Sequence, residues 1–233
     1  MKKLITFGLT AAMVASLTAC GSGGGTDNTT AAAGGETAAA QGASGNTFKI
    51  GVIGPLTGPA AAYGIAVQNG ADQAVKEINA AGGVNGVMLE MNAQDDEHDP
   101  QKSVNAYNTL KDWGAQAIVG STTSDPCIAV AAETSNDNMF QITPSGSAVE
   151  CVSPENVFRV CFADPDQGTA SAVYIGENKL ATKIAVIYDS STTYSSGIRE
   201  AFVKEAGAHG LEIVADEAFT ADNATDFSVQ LDK

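Results

Sequence analysis

From Phe48 onward, short apolar strands alternate with amphipathic helices, and this alternation is the feature that most constrains the fold. The first predicted strand, Phe48–Gly54, is a largely apolar run, and the helix predicted over residues 62–80 has apolar residues at helical spacing before Gly82-Gly83 ends it. Strands that alternate with helices pair in parallel, because the helix carries the chain back to the starting edge of the sheet. The sequence therefore predicts an α/β fold with parallel sheets flanked by helices.

The same alternation continues to the end of the chain. Further strands are predicted over residues 87–93, 117–120, 139–142, 157–162, 183–188 and 211–219. Further helices are predicted over residues 100–113, 126–134, 165–179 and 195–208. A last helix is predicted to begin at Asp226, with Thr225 or Asp226 as its cap. No helix-ending glycine or proline follows it before Lys233, so we expect a longer protein.

The first twenty residues have the pattern of a cleaved export signal. Lys2 and Lys3 precede an apolar run that is shorter than the roughly 20 residues of a membrane-spanning helix. The ending Leu17-Thr18-Ala19-Cys20 resembles a bacterial lipobox, in which Cys20 is lipid-modified and becomes the mature N-terminus. An ordinary signal peptide with an incidental cysteine is the alternative interpretation.

Residues 21–47 contain no Val, Ile, Leu or Phe and consist mostly of Gly, Ala, Ser, Thr and Asn. Such a segment has nothing to bury that could offset the entropy of ordering it. We therefore predict a disordered tether between Cys20 and the folded part.

The charge of the chain excludes one large class of partner. With 27 Asp+Glu against 12 Lys+Arg, the formal net charge is −15. Affinity for nucleic acid depends on lysines and arginines that neutralise phosphates, and no basic stripe is present. We expect no nucleic-acid partner.

Motifs for catalysis and for metal or cofactor binding are weak. The loop of residues 54–59 lacks the glycine spacing of a dinucleotide site and the Lys-Ser/Thr of a P-loop, and no serine stands in G-x-S-x-G. The acidic run Asp95-Asp96-Glu97-His98-Asp99 has oxygen ligands that would suit Ca²⁺ or Mg²⁺. It lies between a predicted strand and a predicted helix, however, where acidic residues serve as caps. We expect no enzyme activity, no cofactor and no bound metal.

Three cysteines follow Cys20. In an exported protein, an odd number allows at most one internal bridge and one free thiol. Cys127 is predicted at the start of the third helix and Cys151 in a loop of the same domain, so we favour that pair, with Cys161 left over.

Two hydroxyl-rich loops follow neighbouring strands, over residues 120–126 and 143–147. Open α/β sheets bind ligands at the carboxyl ends of their strands, and the free N–H groups at a helix start suit a small anion such as a carboxylate. Ordinary helix caps and turns have the same composition. Spacing alone does not separate the two interpretations.

A series of stretches, in order and in register, carries a family resemblance over residues 48–233. They are residues 50–64, 70–79, 82–83, 95–100, 142–144, 166–168 and 183–186. In these stretches the chain resembles the branched-chain amino-acid binding proteins of bacterial ABC importers. The resemblance implies a two-lobed periplasmic-binding-protein (type I) fold that closes by a hinge on one ligand. Its first lobe would comprise residues 48–154, and residues 155–233 would form part of the second.

The resemblance also implies an amino-acid site. Ser124 and Ser147 would hold the ligand carboxylate, and the backbone carbonyl of Ser145 would accept from its ammonium group. The family's acidic residue from the second lobe is expected beyond Lys233. The remaining implied ligand residues are Tyr63, Thr122, Thr123, Gly146 and Tyr194.

Three departures from the leucine binder bear on specificity. Thr122 and Thr123 stand where that protein has an apolar residue and a cysteine, which suggests a more polar pocket. His98 stands in place of that cysteine's disulfide partner. The loop before Tyr194 is one residue longer. An amino acid, branched-chain or related, remains the expected ligand.

The resemblance therefore implies an extracytoplasmic solute-binding lipoprotein. It would capture an amino acid, deliver it to an ABC permease, act as a monomer, and touch the outer face of the cell membrane only through its lipid anchor. A ligand-sensing receptor module on the same fold is the alternative.

Overall fold

The computed structural model describes residues 47–233. The predicted export signal, Cys20 and all but the last residue of the predicted tether lie outside the described residues.

Two parallel sheets organise the described chain. The first contains β1 (Phe48–Gly54), β2 (Leu89–Asp95), β3 (Ala117–Val119), β4 (Gln141–Thr143) and β5 (Val157–Arg159), in the order β2-β1-β3-β4-β5. The second contains β6 (Lys183–Asp189) and β7 (Glu212–Phe219). The helices are α1 (Ala61–Ala80), α2 (Pro100–Trp113), α3 (Ser124–Asp137), α4 (Asp164–Glu177), α5 (Thr193–Ala206) and the short α6 (Ser228–Leu231). Three 3₁₀ turns are Val149–Val152, Gly207–His209 and Ala221–Asn223.

The core of the first sheet lies between β1, β3 and the helices α2 and α3. Its fully buried side chains include Ile53, Tyr107, Leu110, Ile118 and Val130. The apolar face of α2 supplies two of them, as its helical periodicity predicts. The core of the second sheet is smaller and consists of Ala172, Phe202, Ala206 and Leu211.

Register brings the carboxyl ends of the first sheet's strands to one edge. Gly54 at the end of β1 pairs with Asp95 at the end of β2, and Val52 pairs with Val119 at the end of β3. The loops after β1, β3 and β4 therefore leave the sheet side by side, where open α/β sheets bind ligands.

The predicted strands and helices are all present, with bounds that shift by a few residues. β5 follows the boundary predicted between residues 154 and 155, yet it pairs with β4 and belongs to the first sheet. The division into lobes at that boundary stays a prediction. The last helix begins at Ser228. Asp226 lies before it and accepts hydrogen bonds from the backbone N–H and the hydroxyl of Ser228. Within residues 47–233, no helix is both long and apolar enough to cross a membrane.

Candidate functional site

A cavity of about 490 Å³ opens where the loops after β1, β3 and β4 meet the start of α5. The structure brings every predicted ligand residue except Gly146 to this cavity. Those lining it are Tyr63, Thr122, Thr123, Ser124, Ser145, Ser147 and Tyr194. The two hydroxyl-rich loops thus form one site together with tyrosines from α1 and α5.

Ser124 is the first residue of α3 and joins the two loops. Its Oγ accepts hydrogen bonds from the backbone N–H groups of Ser147 and Ala148, each at 3.2 Å. A hydroxyl that accepts from two amides keeps its own proton to donate. Ser124 and Ser147 are only 5% and 4% exposed, so a hydrogen bond to a ligand here would be shielded from water.

The backbone of Ser147 is also held from the other side. Its carbonyl accepts from Arg159 Nη1 and from the N–H of Asp164, both at 2.9 Å. Arg159 ends β5 and Asp164 begins α4, so the loop after β4 is fixed by the chain that leads towards the second sheet.

Gly146 lies in the interior beside this loop. Its N–H donates to Thr143 Oγ1 at 2.8 Å, and that hydroxyl in turn donates to the carbonyl of Ser121 at 2.7 Å. A Cβ at Gly146 would come within 3.2 Å of the Cys127 sulfur. Gly146 therefore packs towards α3 and does not line the cavity, and its contact with the ligand stays a prediction.

The two threonines add less polarity to the cavity than their sequence positions suggested. Thr122 is fully buried and its hydroxyl donates to the carbonyl of Ile53 at 3.3 Å. The Thr123 hydroxyl lies 2.8 Å from Nδ1 of His98. Each hydroxyl is therefore already engaged, one by the backbone and the other by an imidazole.

Known proteins with similar sequence and structure decide the family. A sequence profile described as periplasmic binding protein matches residues 47–233. The chain belongs to the periplasmic binding protein family. The Leu/Ile/Val-binding protein BraC3 of Rhizobium johnstonii is 35% identical over 173 residues, which are 73% of this chain and 47% of that protein. The leucine-, isoleucine-, valine-, threonine-, and alanine-binding protein of Pseudomonas aeruginosa is 32% identical over 197 residues, 84% of this chain and 52% of that one.

Solved structures agree with this assignment. The branched-chain amino acid transporter substrate-binding protein LivJ of Streptococcus pneumoniae, in complex with isoleucine, has a TM-score of 0.74 and 33% sequence identity. The match covers 80% of this chain and 53% of that one. The predicted fold class, the two-lobed type I fold, is confirmed. The chain spans about half the length of the curated relatives it matches.

Sequence reasoning missed several residues that line the cavity of this periplasmic binding protein, among them His98, Asp125 and Phe162. Asp125 in the first turn of α3 accepts from the N–H of Thr193, the first residue of α5, at 3.3 Å. It therefore joins a helix of the first sheet to a helix of the second. Phe162 was hidden in the predicted strand over residues 157–162, which ends at residue 159.

The acidic run after β2 serves mainly as caps and turns, as the preferred interpretation predicted. Asp99 accepts from the N–H of Lys102 at 2.8 Å and caps α2. Burial acts to raise the pKa of Asp95, but hydrogen bonds from Thr57, Glu97 and Leu56 outweigh it and hold that pKa below its usual value. Among residues 47–233, no group of three or more His, Cys, Asp or Glu side chains is placed to hold a metal ion.

Cys127 and Cys151 lie together in a small buried cluster with Ala148. Both are free thiols, so the predicted bridge is not formed in this structure. The Cys151 thiol donates to the carbonyl of Ser124 at 3.6 Å, and the interaction between the two neighbouring thiols lowers the pKa of Cys127 and raises that of Cys151. Cys161 lies apart from them at the wall of the cavity, where burial raises its pKa. The pairing of Cys127 with Cys151 stays a prediction.

A second cavity of about 530 Å³ lies between the 3₁₀ turn Val149–Val152 and the starts of α4 and α5. Asp164 lines it and is 1% exposed, and neither of its carboxylate oxygens has a hydrogen-bond partner among the described residues. Burial raises the pKa of Asp164.

Proposed function

We propose that this chain is the ligand-binding part of an ABC-importer solute-binding protein that captures a branched-chain or related amino acid. The observation that carries the proposal is the convergence of Ser124, Ser145 and Ser147 on one cavity at the start of α3. The names of the relatives in Rhizobium johnstonii and Pseudomonas aeruginosa, and the isoleucine complex of LivJ, support the amino-acid class.

The ligand's main-chain groups would bind at the start of α3. The first-turn N–H groups of a helix and its positive dipole end favour a carboxylate, and the Ser124 and Ser147 hydroxyls supply donors beside them. The carbonyl of Ser145 is the acceptor for the ammonium group. Each of these groups would act only by forming hydrogen bonds with the ligand, so the proposal includes no catalytic step.

The ligand's side chain would meet aromatic surface. Tyr63, Phe162 and Tyr194 line the cavity and are 64%, 58% and 44% exposed. Exposed rings at the wall of a cavity would gain buried area if the lobes closed over a ligand, and this gain would favour the closed state. We therefore include closure of the hinge over the ligand in the proposal.

The rest of the proposal concerns location and partners. The protein would be exported and lipid-anchored through Cys20 at the outer face of the cell membrane, and would hand its ligand to a membrane permease. Residues 21–47 would connect the anchor to the binding domain, and the binding domain would be a monomer.

A thermal-shift panel of the complete mature protein against all twenty amino acids tests the function. A ligand at a hundred times its Kd adds about 2.7 kcal/mol to the free energy of unfolding, which raises the melting temperature by several degrees. We expect shifts with aliphatic amino acids and their isosteres. No shift with any amino acid would contradict the proposal.

A further inference from the structure

The side chain of His98 borders the same cavity as Ser124 and Ser147, yet the proposed function leaves it without a role. It comes from the loop between β2 and α2, and its Nδ1 lies 2.8 Å from the hydroxyl of Thr123 at the start of α3. The imidazole is therefore held by one nitrogen against the wall of the site.

The backbone that presents His98 is unusual. Glu97 and His98 have φ angles of +49° and +63°, in the left-handed region that non-glycine residues seldom adopt. Asp96, which is fully buried, accepts the N–H of His98 at 2.9 Å, and Asp95 accepts the N–H of Glu97 at 2.9 Å. Two carboxylates thus fix the orientation of the loop that carries the imidazole.

Some hydrogen-bonding groups of the cavity already have a partner or an assigned role, whereas others are available to a ligand. The Thr122 hydroxyl donates to Ile53, and Ser124 and Ser147 are assigned to the ligand carboxylate. Nε2 of His98 has no hydrogen-bond partner within residues 47–233. It can donate while Nδ1 accepts from Thr123, or accept while Nδ1–H donates to that hydroxyl.

We propose that His98, held by Thr123, is a specificity-determining residue that favours amino acids with a short hydrogen-bonding side chain over their aliphatic isosteres. The inference rests on the proposed function and names its ligand class more narrowly. A side-chain hydroxyl gains a partner in Nε2, whereas a methyl group in the same place leaves that nitrogen without one and excludes its water.

Valine and threonine are the matched probes, because they differ by a methyl group and a hydroxyl on the same branched carbon. Isothermal titration of the complete mature protein should show threonine bound more tightly than valine. His98→Gly removes the imidazole and tolerates the positive φ, so the loop keeps its conformation. We expect this variant to lose about 3- to 10-fold in threonine affinity and little in valine affinity.

Two further variants make the result specific. His98→Asn retains a hydrogen-bonding group and also tolerates positive φ, so part of the threonine preference should return. His209→Gly replaces the other histidine, which lies in the 3₁₀ turn Gly207–His209 against Glu205, and should leave both affinities unchanged.

The outcomes separate the two proposals. If the wild-type protein binds both probes and His98→Gly leaves their affinity ratio unchanged, the inference about His98 is wrong and the proposed function stands. If the wild-type protein binds valine or leucine but not threonine, the inference is wrong as well. If no amino acid binds, both proposals fall.

Discussion

The Ser124 hydroxyl accepts a hydrogen bond from the backbone N–H of Ser147: its Oγ lies 3.2 Å from the nitrogen of Ser147 and 3.2 Å from that of Ala148. One hydroxyl therefore satisfies two buried amides and joins the start of α3 to the loop after β4. The predicted carboxylate site and the packing of the first sheet depend on the same atom.

This shared role predicts different effects for two similar substitutions. Ser124→Ala leaves two buried N–H groups without an acceptor and should lower the free energy of unfolding by about 1–3 kcal/mol. Ser147→Ala keeps the backbone amide and should cost less. Each should weaken amino-acid binding about tenfold or more, because a hydrogen bond to a charged carboxylate is lost. Chemical denaturation and isothermal titration measure the two effects. Unchanged ligand affinity in both variants would contradict the carboxylate assignment.

We predict that removing the buried charge of Asp164 raises the stability of the protein by an amount that depends on pH. Burial raises its folded-state pKa above the ordinary value of 3.8, so the ionised carboxylate destabilises the fold increasingly as pH rises from 3.8 through that raised pKa. Asp164→Asn removes this charge and should stabilise the protein at pH 7 by about 1–3 kcal/mol. The gain should disappear below pH 3.8, where the wild-type carboxyl is neutral in both states.

Melting curves of Asp164→Asn and the wild type across pH 3 to 8 measure this difference. Asp166→Asn is the control. Asp166 lies in the same first turn of α4 as Asp164, but its carboxylate has a hydrogen-bond partner, the N–H of Ala163 at 3.2 Å. A difference between Asp164→Asn and wild type that is constant with pH would show that ionisation of Asp164 is not its cause.

Two glycines of α1 predict opposite effects of one substitution. A Cβ at Gly64 would meet the carbonyl oxygen of Pro55 at 2.0 Å, and backbone cannot move aside cheaply. Gly64→Ala should therefore destabilise the fold by about 2 kcal/mol or more. A Cβ at Gly70 would meet nothing within 4 Å, so Gly70→Ala should stabilise the helix by about 0.5–1 kcal/mol. Urea denaturation of the two variants checks both signs, and equal effects would contradict the packing of α1 against the loop after β1.

The cysteines predict a selective oxidation. Cys127 and Cys151 share a buried cluster with Ala148, whereas Cys161 lies apart at the cavity wall. Under oxidising conditions, we expect Cys127 and Cys151 to form the bridge and Cys161 to remain free. Peptide mapping after alkylation of the unreduced protein identifies the pair, and Cys161→Ser should not change it. A bridge that includes Cys161 would contradict this prediction.

Periodicity predicted the fold well because each of its signals is local. The apolar run of β1 and the spacing of Tyr107 and Leu110 on α2 require no knowledge of distant residues. Bounds were less accurate where a tertiary contact ends an element. The apolar sequence continues from Val157 to Phe162, but the strand lasts only while β4 offers a pairing partner, and it ends at Arg159.

In the candidate site, too, some features were predictable from the sequence and others depended on packing. Ser124, Ser147 and the two tyrosines were implied by the family resemblance, whose motifs are visible along the chain. The direction of each side chain is not visible there: Gly146 faces α3, and the hydroxyl of Thr122 faces Ile53. Neither contact partner lies within the same sequence motif.

By itself, the sequence determined the α/β class, the order of the strands and helices, and the loops that carry the predicted ligand residues. These depend on interactions between residues that are close along the chain. Only the tertiary structure decided that His98 meets Thr123, that Asp125 meets Thr193, and that Asp164 is buried with no hydrogen-bond partner among residues 47–233. Each of these depends on how separate elements pack, because packing sets which polar groups meet and which lose water without a replacement.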